Sequence, residues 1–292
     1  MKKQFFSLVV VIAPLWFISC KDNRPVPSEE TDLEVSACLA ETDTATLDVM
    51  TWNVRTFPMD STRTIDQLAY IIQQQDPDVI AFQEISTNTV FSKLLNSLPG
   101  WEGFLHVNGD LNLGFLYKSS EISLVNEPEV WFEDDFDTFK RPPLVINLRH
   151  KTGIEWILVN VHLKCCSGEE NELIRRKAAE KLKIHIDEHH HDEPLMVLGD
   201  FNGSIAGISD SDNVFIDFVN DTVNYKFADM EIARGSATDW SYPAWPSHID
   251  HILITDELFD HIYETVTLLY DQCDGRYFNV ISDHRAVMVR MK

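Results

Sequence analysis

Residues 195–202 have the sequence LMVLGDFN, an apolar stretch that ends abruptly at a carboxylate and an amide, Asp200 and Asn202. A short run of large apolar residues between polar ones is typical of a strand that is buried on both faces. The same arrangement recurs at residues 79–84, which end in Glu84, and at residues 157–162, which end in His162. Strands of this kind predict a sheet whose two faces are both covered.

Helical periodicity separates these strands. Apolar residues fall at i, i+3, i+4 and i+7 from Ile65 to Ile72, which predicts an amphipathic helix that Asp76-Pro77 ends. Residues 89–98 and 174–186 predict two more helices. Further strands are predicted at residues 47–54, 113–117, 144–148, 154–161, 249–254 and 286–291. This alternation in both halves of the chain predicts an α/β or α+β fold, in which two packed sheets are flanked by helices.

The composition fits one large domain and disfavours a nonspecific DNA-binding protein. The chain has 292 residues, of which 44% are hydrophobic. This is enough apolar material for one α/β core, which we place at residues 46–292. The formal net charge is −23, because 24 basic residues face 47 acidic ones. Nonspecific DNA-binding proteins neutralise phosphates with Lys and Arg, so a polyanionic substrate would need a bound cation or a local basic patch.

The N-terminus differs from the rest of the chain. A basic start precedes an almost wholly apolar run, residues 5–18, and Ser19-Cys20 follows. This run has the length of a signal-peptide core and is short for a membrane span. Ser19-Cys20 resembles a lipobox, although Phe17 stands where leucine is usual. We therefore expect a lipoprotein signal peptide at residues 1–19 and a lipid on Cys20, the alternative being an ordinary cleaved signal peptide that contains a cysteine.

A lipidated Cys20 would anchor the protein to a membrane of a bacterial cell envelope, on its periplasmic or extracellular face. Residues 20–45 are polar, acidic and punctuated by proline, which predicts a flexible tether. The remaining cysteines would then lie in an oxidising compartment. They are Cys38, Cys165, Cys166 and Cys273. Their pairing cannot be deduced from spacing, although adjacent cysteines rarely bond each other because the geometry is strained. No protein partner is evident.

Polar side chains recur at the ends of the apolar strands, and their types indicate metal-dependent chemistry. Such groups are costly to bury unless they are paired or bound to a metal, whereas any one of them alone is as readily a cap or turn residue. Their recurrence favours a single ligand-binding crevice at the strand ends. Oxygen ligands of the Glu, Asn and Asp type suit Mg²⁺, Mn²⁺ or Ca²⁺. Phosphoester hydrolysis uses such a cation together with an activated water.

Six short motifs resemble those of the endonuclease/exonuclease/phosphatase superfamily, and they occur in the order of that family. They are Thr51-Trp52-Asn53-Val54, Phe82-Gln83-Glu84, Asn160-Val161-His162-Leu163, Gly199-Asp200-Phe201-Asn202, Ile249-Asp250-His251-Ile252 and Ser282-Asp283-His284. Each motif is weak alone, but together they extend over residues 47–292. The resemblance implies a four-layered sandwich of two mixed β-sheets flanked by helices, with the active site at one end. It also implies a phosphoester hydrolase that depends on a divalent metal.

The resemblance implies five catalytic residues. Asp200 would position or deprotonate the attacking water, and Asn202 would bind phosphate. His284 would contact the scissile phosphate and would be oriented by Asp250. His162 would act as an acid or electrophile on the other side.

The resemblance also implies ligands for the metal and for phosphate. Glu84 would hold the metal with Asn53 beside it, and Asp283 would support a metal or the neighbouring network. Arg141 resembles a phosphate-contacting arginine, the alternative being a surface turn residue before two prolines. Family members often pair the first histidine with Glu or Gln, whereas this chain offers Asn112 at best, which leaves that partner open.

The predicted reaction is cleavage of P–O bonds by an activated water, in a phosphodiesterase or nuclease. A phosphatase or a phospholipase C-like enzyme, acting on a sugar phosphate or a phospholipid headgroup, is a second hypothesis, and an inactive binding module is a third. The intact set of motif residues disfavours the third. The acidic charge and the lipid anchor favour a small or lipid substrate, whereas motif similarity favours nucleic acid. The sequence does not decide between these substrates.

Overall fold

A computed structural model describes residues 31–41 and 46–292, so the predicted signal peptide and Cys20 lie outside the described residues. The strands are β1 (Leu47–Phe57), β2 (Val79–Ile85), β3 (Trp101–His106), β4 (Asn112–Lys118), β5 (Ile122–Leu124), β6 (Glu129–Val130), β7 (Leu144–His150), β8 (Glu155–His162), β9 (Leu195–Asp200), β10 (Tyr225–Phe227), β11 (Asp250–Thr255), β12 (Ile262–Thr267) and β13 (Val287–Met291). The α-helices are α1 (Ser61–Gln75), α2 (Asn88–Asn96), α3 (Glu169–His189), α4 (Ile216–Asn220), α5 (Met230–Arg234), α6 (Tyr270–Cys273) and α7 (Tyr277–Val280).

The strands form two mixed sheets, each with a parallel pair near its centre. The first sheet has the order β12-β13-β1-β2-β4-β3, in which β1 and β2 are parallel. The second has the order β10-β11-β9-β8-β7-β5, in which β8 and β9 are parallel, and β6 pairs with β7. Asn53 of β1 contacts Asp200 at the end of β9. The ends of the two parallel pairs therefore meet at one edge of the molecule.

Apolar side chains fill three spaces between four layers. Alternate residues of β1 face opposite sides: Val49 packs between the sheets with Leu158 of β8, whereas Met50 packs beneath the helices of the first sheet. Ala178 and Leu182 of α3 cover the outer face of the second sheet. The structure therefore confirms the predicted α/β sandwich of two mixed sheets flanked by helices. Among the described residues, no helix has both the length and the apolar character needed to cross a bilayer.

Residues 32–41, which fall within the predicted tether, lie against this fold. Leu33 and Val35 are buried, and the backbone N–H of Leu33 donates to Gln67 Oε1 at 2.7 Å. Cys38 forms a disulfide with Cys273, which answers part of the pairing that the sequence left open. The prediction rested on average polarity, but two apolar side chains and one covalent link are enough to fix a short polar segment.

Candidate active site

Irregular backbone at the ends of β1 and β2 turns polar side chains toward the meeting point of the sheets. The pairing of β1 with β2 shifts register between Asn53 and Phe57, and Glu84 has a φ of 67°. Bulges of this kind re-aim side chains at strand ends. Asn53 Nδ2 donates to Glu84 Oε1 at 3.2 Å and to Asp200 Oδ2 at 2.9 Å. Because its Oδ1 accepts from the N–H of Arg55, Asn53 in this orientation holds two carboxylates together.

Asp200 reaches this point because a glycine precedes it. Gly199 has a φ of 148°, and a Cβ added there would lie 1.9 Å from the carbonyl oxygen of Val161 on β8. Only glycine permits this approach, which sets Asp200 opposite His162 in the parallel pair. The N–H of Asn202 donates to Asp200 Oδ1 at 2.9 Å. Burial, reinforced by the nearby Asp250 carboxylate, raises the pKa of Asp200 to about 7.

His284 and Asp250 form a buried pair beside Asp200. His284 Nδ1 donates to Asp250 Oδ2 at 2.8 Å, and His284 Nε2 lies 3.9 Å from Asp200 Oδ2. The N–H of His284 donates to Ser282 Oγ, which itself donates to the carbonyl of Asn53 at 2.7 Å. Burial by itself would lower the pKa of His284, but the Asp250 carboxylate raises it to about 10. His284 is therefore a positively charged imidazolium at neutral pH.

His162 is neutral, in contrast to His284. Its Nε2 lies 3.4 Å from Asp200 Oδ2 and 3.9 Å from Glu84 Oε1. Burial, followed by the charges of Arg141 and His284, holds the pKa of His162 well below its ordinary value. Its Nδ1 is buried and has no hydrogen-bond partner among the described residues.

Asn112 is not the partner of His162. Its Nδ2 donates to the carbonyls of Ile85 and Ser86, at 2.8 and 3.1 Å, and its Oδ1 accepts from the N–H of Asn108. Asn112 therefore fastens the loop that follows β2.

Arg141 lies behind the site and is not among the side chains that line its cleft. Arg141 Nε donates to the carbonyl of His162 at 3.0 Å, and its Nη2 donates to the carbonyl of Leu163 at 2.9 Å. The guanidinium is thus engaged with two backbone carbonyls in this geometry, and the phosphate contact stays a prediction. Arg141 fixes the end of β8 and, through it, the position of His162.

The remaining predicted residues surround a cleft of about 1090 Å³. Six of them line it: Glu84, His162, Asp200, Asn202, Asp283 and His284. Asn53 and Asp250 are fully buried beneath this surface, where they position the lining residues. Asn202 Nδ2 donates to the carbonyl of Leu163 at 3.2 Å. The structure thus brings together every predicted site residue of the described chain except Arg141.

Several residues that line the cleft were not predicted from the sequence, and Tyr242 and Arg55 are the two that contact predicted site residues most directly. The ring of Tyr242 packs against His284 at a centroid distance of 4.7 Å, and Arg55 Nε lies 3.5 Å from Asp283 Oδ2. Tyr242 lies in the loop before β11, and no strand pattern marked it. Arg55 follows the Asn53 motif directly, but its direction depends on the bulge, which the sequence does not reveal.

The donor set fits a divalent cation of the hard, oxygen-preferring kind. Glu84 and Asp200 share one amide donor, and Asp200 gains protons easily because burial and Asp250 both disfavour its charge. A cation between such carboxylates would remove that repulsion. Asp200, Asp250 and His284 also offer ligand atoms within 4.8 Å of one another. The protonated imidazole of His284 is a poor ligand, however, so the better candidate is the Glu84 carboxylate, which Asn53 holds beside Asp200 and which lines the same cleft as Asp283.

A second buried cluster of ligand-type residues has a structural role. Asp229 Oδ2 accepts from His248 Nε2 at 3.0 Å and from His251 Nδ1 at 2.6 Å. His251 Nε2 donates to the carbonyl of Gly203 at 2.9 Å, and His248 Nδ1 accepts from the N–H of Ser241. Because every ring nitrogen of His248 and His251 already has a hydrogen-bond partner, hydrogen bonds hold this cluster together without a metal.

Comparison with known proteins places these features in a family. The model of the Endonuclease/Exonuclease/phosphatase family matches residues 50–284. The structure of D. rerio TDP2 complexed with a single strand DNA product has a TM-score of 0.67 and 16% identity, and covers 86% of this chain and 100% of that one. The mannosyl-6-phosphatase of Bacteroides thetaiotaomicron has a TM-score of 0.61 and 17% identity, and covers 84% of this chain and 99% of that one. No curated protein matches the chain.

Proposed function

Because the chain belongs to the endonuclease/exonuclease/phosphatase family, whose members hydrolyse phosphoesters with a divalent metal, we propose that it is a metal-dependent phosphodiesterase. The observation that supports this most directly is the charged His284 held by buried Asp250 on the floor of a cleft that also contains Asp200. A fixed positive charge beside a potential proton acceptor suits attack of water on a phosphoester.

In this proposal the two histidines have different tasks. His284 is charged, so it stabilises the negative charge that develops on the phosphate oxygens. His162 is neutral, so it can donate a hydrogen bond without repelling a cation nearby. Asp200 Oδ2 lies 3.9 Å from His284 Nε2 and 3.4 Å from His162 Nε2, so it stands where it can orient the attacking water and accept its proton. Asn202 lines the same cleft, and in this proposal its side-chain amide donates a hydrogen bond to the phosphate.

The metal would be held by Glu84, with Asn53 beside it and Asp283 on the same cleft, and Mg²⁺ or Mn²⁺ suits these oxygens. When bound, the cation would polarise the phosphate and offset the negative charge of the cleft. Asn53 keeps Glu84 and Asp200 within reach of each other, at 3.2 and 2.9 Å from its Nδ2. The backbone N–H of Thr56 donates a hydrogen bond to Glu84 Oε2 at 2.8 Å, which fixes this carboxylate further.

Charge favours a second candidate, hydrolysis of a small phosphoester such as a sugar phosphate or a lipid headgroup. The whole chain carries a net charge of −23. A long polyanion makes many phosphate contacts and needs a correspondingly broad basic surface, whereas one phosphate needs only a cation at the floor of the cleft. Of the two named structures, one is a mannosyl-6-phosphatase and the other binds a DNA product, so each candidate has a precedent on this fold.

One substrate panel distinguishes the candidates. Purified protein is assayed on single-stranded DNA, RNA, sphingomyelin, a bis-aryl phosphodiester and mannose 6-phosphate, each with Mg²⁺ and each with EDTA. The His284→Ala variant is the control for contaminating hydrolases. Metal-dependent cleavage of DNA, RNA or the bis-aryl phosphodiester that the variant loses supports the first candidate. Turnover of sphingomyelin or mannose 6-phosphate alone favours the second, and no metal-dependent turnover on any substrate contradicts both.

We also propose that the enzyme works at a membrane surface, through a lipid on Cys20. The support is the basic start, the apolar run at residues 5–18 and the Ser19-Cys20 pair. A tethered enzyme would meet lipid headgroups or envelope phosphoesters at high local concentration. This placement fits the small-substrate candidate better than the nuclease.

A further inference from the structure

Two adjacent thiols face each other at the lip of the active-site cleft. Cys165 Sγ and Cys166 Sγ lie 2.8 Å apart, and both side chains line the cleft that contains Glu84, His162 and His284. A disulfide bond is about 2.0 Å long, so closing one here requires the sulfurs to move together by only about 0.8 Å. Cys166 is exposed and Cys165 is half-buried, so reagents in solution can reach the pair.

The backbone explains why the thiols meet. In an extended strand, successive side chains point to opposite faces, which keeps adjacent cysteines apart. Cys166 lies beyond the end of β8 and has a left-handed backbone conformation, with a φ of 79°. This left-handed residue turns the second side chain back toward the first. The folded chain therefore already holds the two thiols close together, and ring closure does not have to bring them there.

Side chains fix this backbone from His162 onward. Arg175 Nη1 donates to the carbonyls of Lys164 and Cys166, at 2.7 and 2.9 Å, on either side of Cys165. Lys164 Nζ donates to the carbonyl of Cys165 at 3.3 Å. Arg141 binds the two carbonyls before them, as described above. Five successive carbonyls thus accept hydrogen bonds from side chains. Because the backbone is already fixed, closing the disulfide ring costs little further conformational entropy.

We propose that Cys165 and Cys166 close a vicinal disulfide at the lip of the active-site cleft. The oxidant is a small-molecule disulfide such as oxidised glutathione. The thiolate of exposed Cys166 attacks one sulfur of the oxidant and releases one glutathione thiol. The thiolate of Cys165 then attacks the mixed disulfide, so that the intramolecular bond forms and the second glutathione leaves. Two protons and two electrons pass from the cysteines to two glutathione thiols.

The disulfide between Cys38 and Cys273 supplies an internal reference for this proposal. The full chain is equilibrated with excess oxidised glutathione and EDTA, so that a bound metal cannot shield the thiols, and is then alkylated and digested with trypsin. Cleavage after Lys164 and Arg175 yields residues 165–175, which contain both thiols and neither reference cysteine. We expect this peptide to lack two hydrogen atoms and to carry no alkyl group. Two alkyl groups or two glutathione adducts on it, with Cys38 and Cys273 still bonded, would overturn the proposal.

The single variants test the pairing itself. In Cys165→Ser the remaining Cys166 has no neighbour, so after the same treatment we expect it to carry glutathione or an alkyl group. Cys166→Ser should expose Cys165 in the same way. If either single variant leaves its remaining thiol as inert as in the parent chain, inaccessibility explains the lack of alkylation and the proposed bond is wrong.

The closed ring should also matter to the cleft, because it stiffens the wall next to Lys164. Reduction of the native protein should raise KM severalfold on whichever substrate the panel identifies. The double variant Cys165→Ser/Cys166→Ser should not respond to the reductant, and this separates the lip from the Cys38–Cys273 bond. An equal rise in KM in both proteins would contradict the functional role of the ring. So would an unchanged KM in the parent protein after the disulfide in the peptide 165–175 has been reduced.

Discussion

At the scale of the residue, charge decides which side chains can do chemistry. His162 and His284 lie on the same cleft, yet burial leaves the first neutral while Asp250 keeps the second charged. Identical residue types therefore acquire different roles from their surroundings. The carboxylate that orients His284 also sets its protonation state, so the two act as one unit.

The first prediction follows from this coupling between His284 and Asp250. His284→Ala and Asp250→Asn should each lower kcat by about 10²–10⁴-fold, because a positioned acid–base group contributes that much. The double variant should lose little more than the worse single variant, since coupled residues are not additive. The measurement is kcat with Mg²⁺, together with circular dichroism to verify folding. Fully multiplicative losses would mean that the pair does not work as a unit.

Glu84 carries the second prediction. Glu84→Gln keeps the shape of the side chain and removes its charge, so the Mg²⁺ concentration for half-maximal activity should rise at least tenfold. Glu127→Gln, at an exposed position, is the matched control and should leave metal dependence unchanged. If Glu84→Gln loses activity at every Mg²⁺ concentration without a shift in the midpoint, the carboxylate is needed for something other than metal affinity.

Most of the cleft could be predicted residue by residue from its motifs, but hydrogen-bond directions could not. Glu84, Asp200, Asp283 and His284 follow or precede apolar strands, and the sequence displays that pattern. Whether a guanidinium reaches the substrate or binds two carbonyls depends on the path of a loop. For this reason Arg141 was placed in the cleft by motif and is found behind it.

At the scale of the element, burial on both faces made strands predictable. Strands β2, β8 and β9 are almost fully buried, so their apolar runs stand out in the sequence. The predicted strands omitted β3, β5, β6, β10 and β12. Strands β5, β6 and β10 have only two or three residues, whereas β3 and β12 are half-exposed, so their apolar pattern is weak. Helix α3 extends five residues before the predicted start at residue 174, to Glu169, because acidic residues in a first turn stabilise the helix dipole without contributing apolar periodicity.

Gly199 gives a prediction at this scale. Gly199→Ala would force a Cβ to within 1.9 Å of the Val161 carbonyl, so β8 and β9 would have to separate. We expect a loss of about 4 kcal/mol or more in the free energy of unfolding, or failure to fold.

The Gly109→Ala variant is the control that separates the steric clash at residue 199 from the strain of a positive φ. Gly109 has a φ of 115° but nothing within 4 Å of its added Cβ, so only about 1–3 kcal/mol should be lost. Urea unfolding of both variants measures the difference. Equal losses in the two would show that strain at positive φ, and not the close approach of the strands, makes Gly199 necessary.

At the scale of the whole molecule, a buried charge pair joins elements of the second sheet. Asp229 precedes α5, and its Oδ1 accepts from the N–H of Ile252 on β11 at 2.9 Å, while His251 reaches the carbonyl of Gly203 after β9. Burial by itself would raise the pKa of Asp229, but the two imidazoles hold it well below its usual range. Burial by itself would lower the pKa of His251, but Asp229 raises it.

These opposite shifts predict a window of stability. The lowered pKa of Asp229 contributes stability above its unfolded value near pH 4, and this is lost as pH falls through the folded value. The raised pKa of His251 contributes stability below its unfolded value near pH 6.5, and this is lost as pH rises through the folded value. Asp229→Asn should therefore cost most, about 3 kcal/mol, between roughly pH 4 and 6.5. Urea unfolding of both proteins from pH 3 to 9 measures this; a cost that does not vary with pH would mean that packing, not charge, makes the carboxylate necessary.

The proposed lipid anchor belongs to the scale of the whole molecule, and it would bear on how so acidic a protein meets its substrate. A chain with a net charge of −23 is repelled by an anionic membrane surface, so the proposed lipid on Cys20 would have to outweigh that repulsion. Cys20→Ala should abolish the lipid and leave the chain soluble or uncleaved, while Ser19→Ala should keep it, because alanine is also small. Metabolic labelling with a palmitate analogue and mass spectrometry of the mature N-terminus measure this. A mature N-terminus at any other residue, without a diacylglyceryl group, contradicts the anchor and removes the argument that places the enzyme at a membrane.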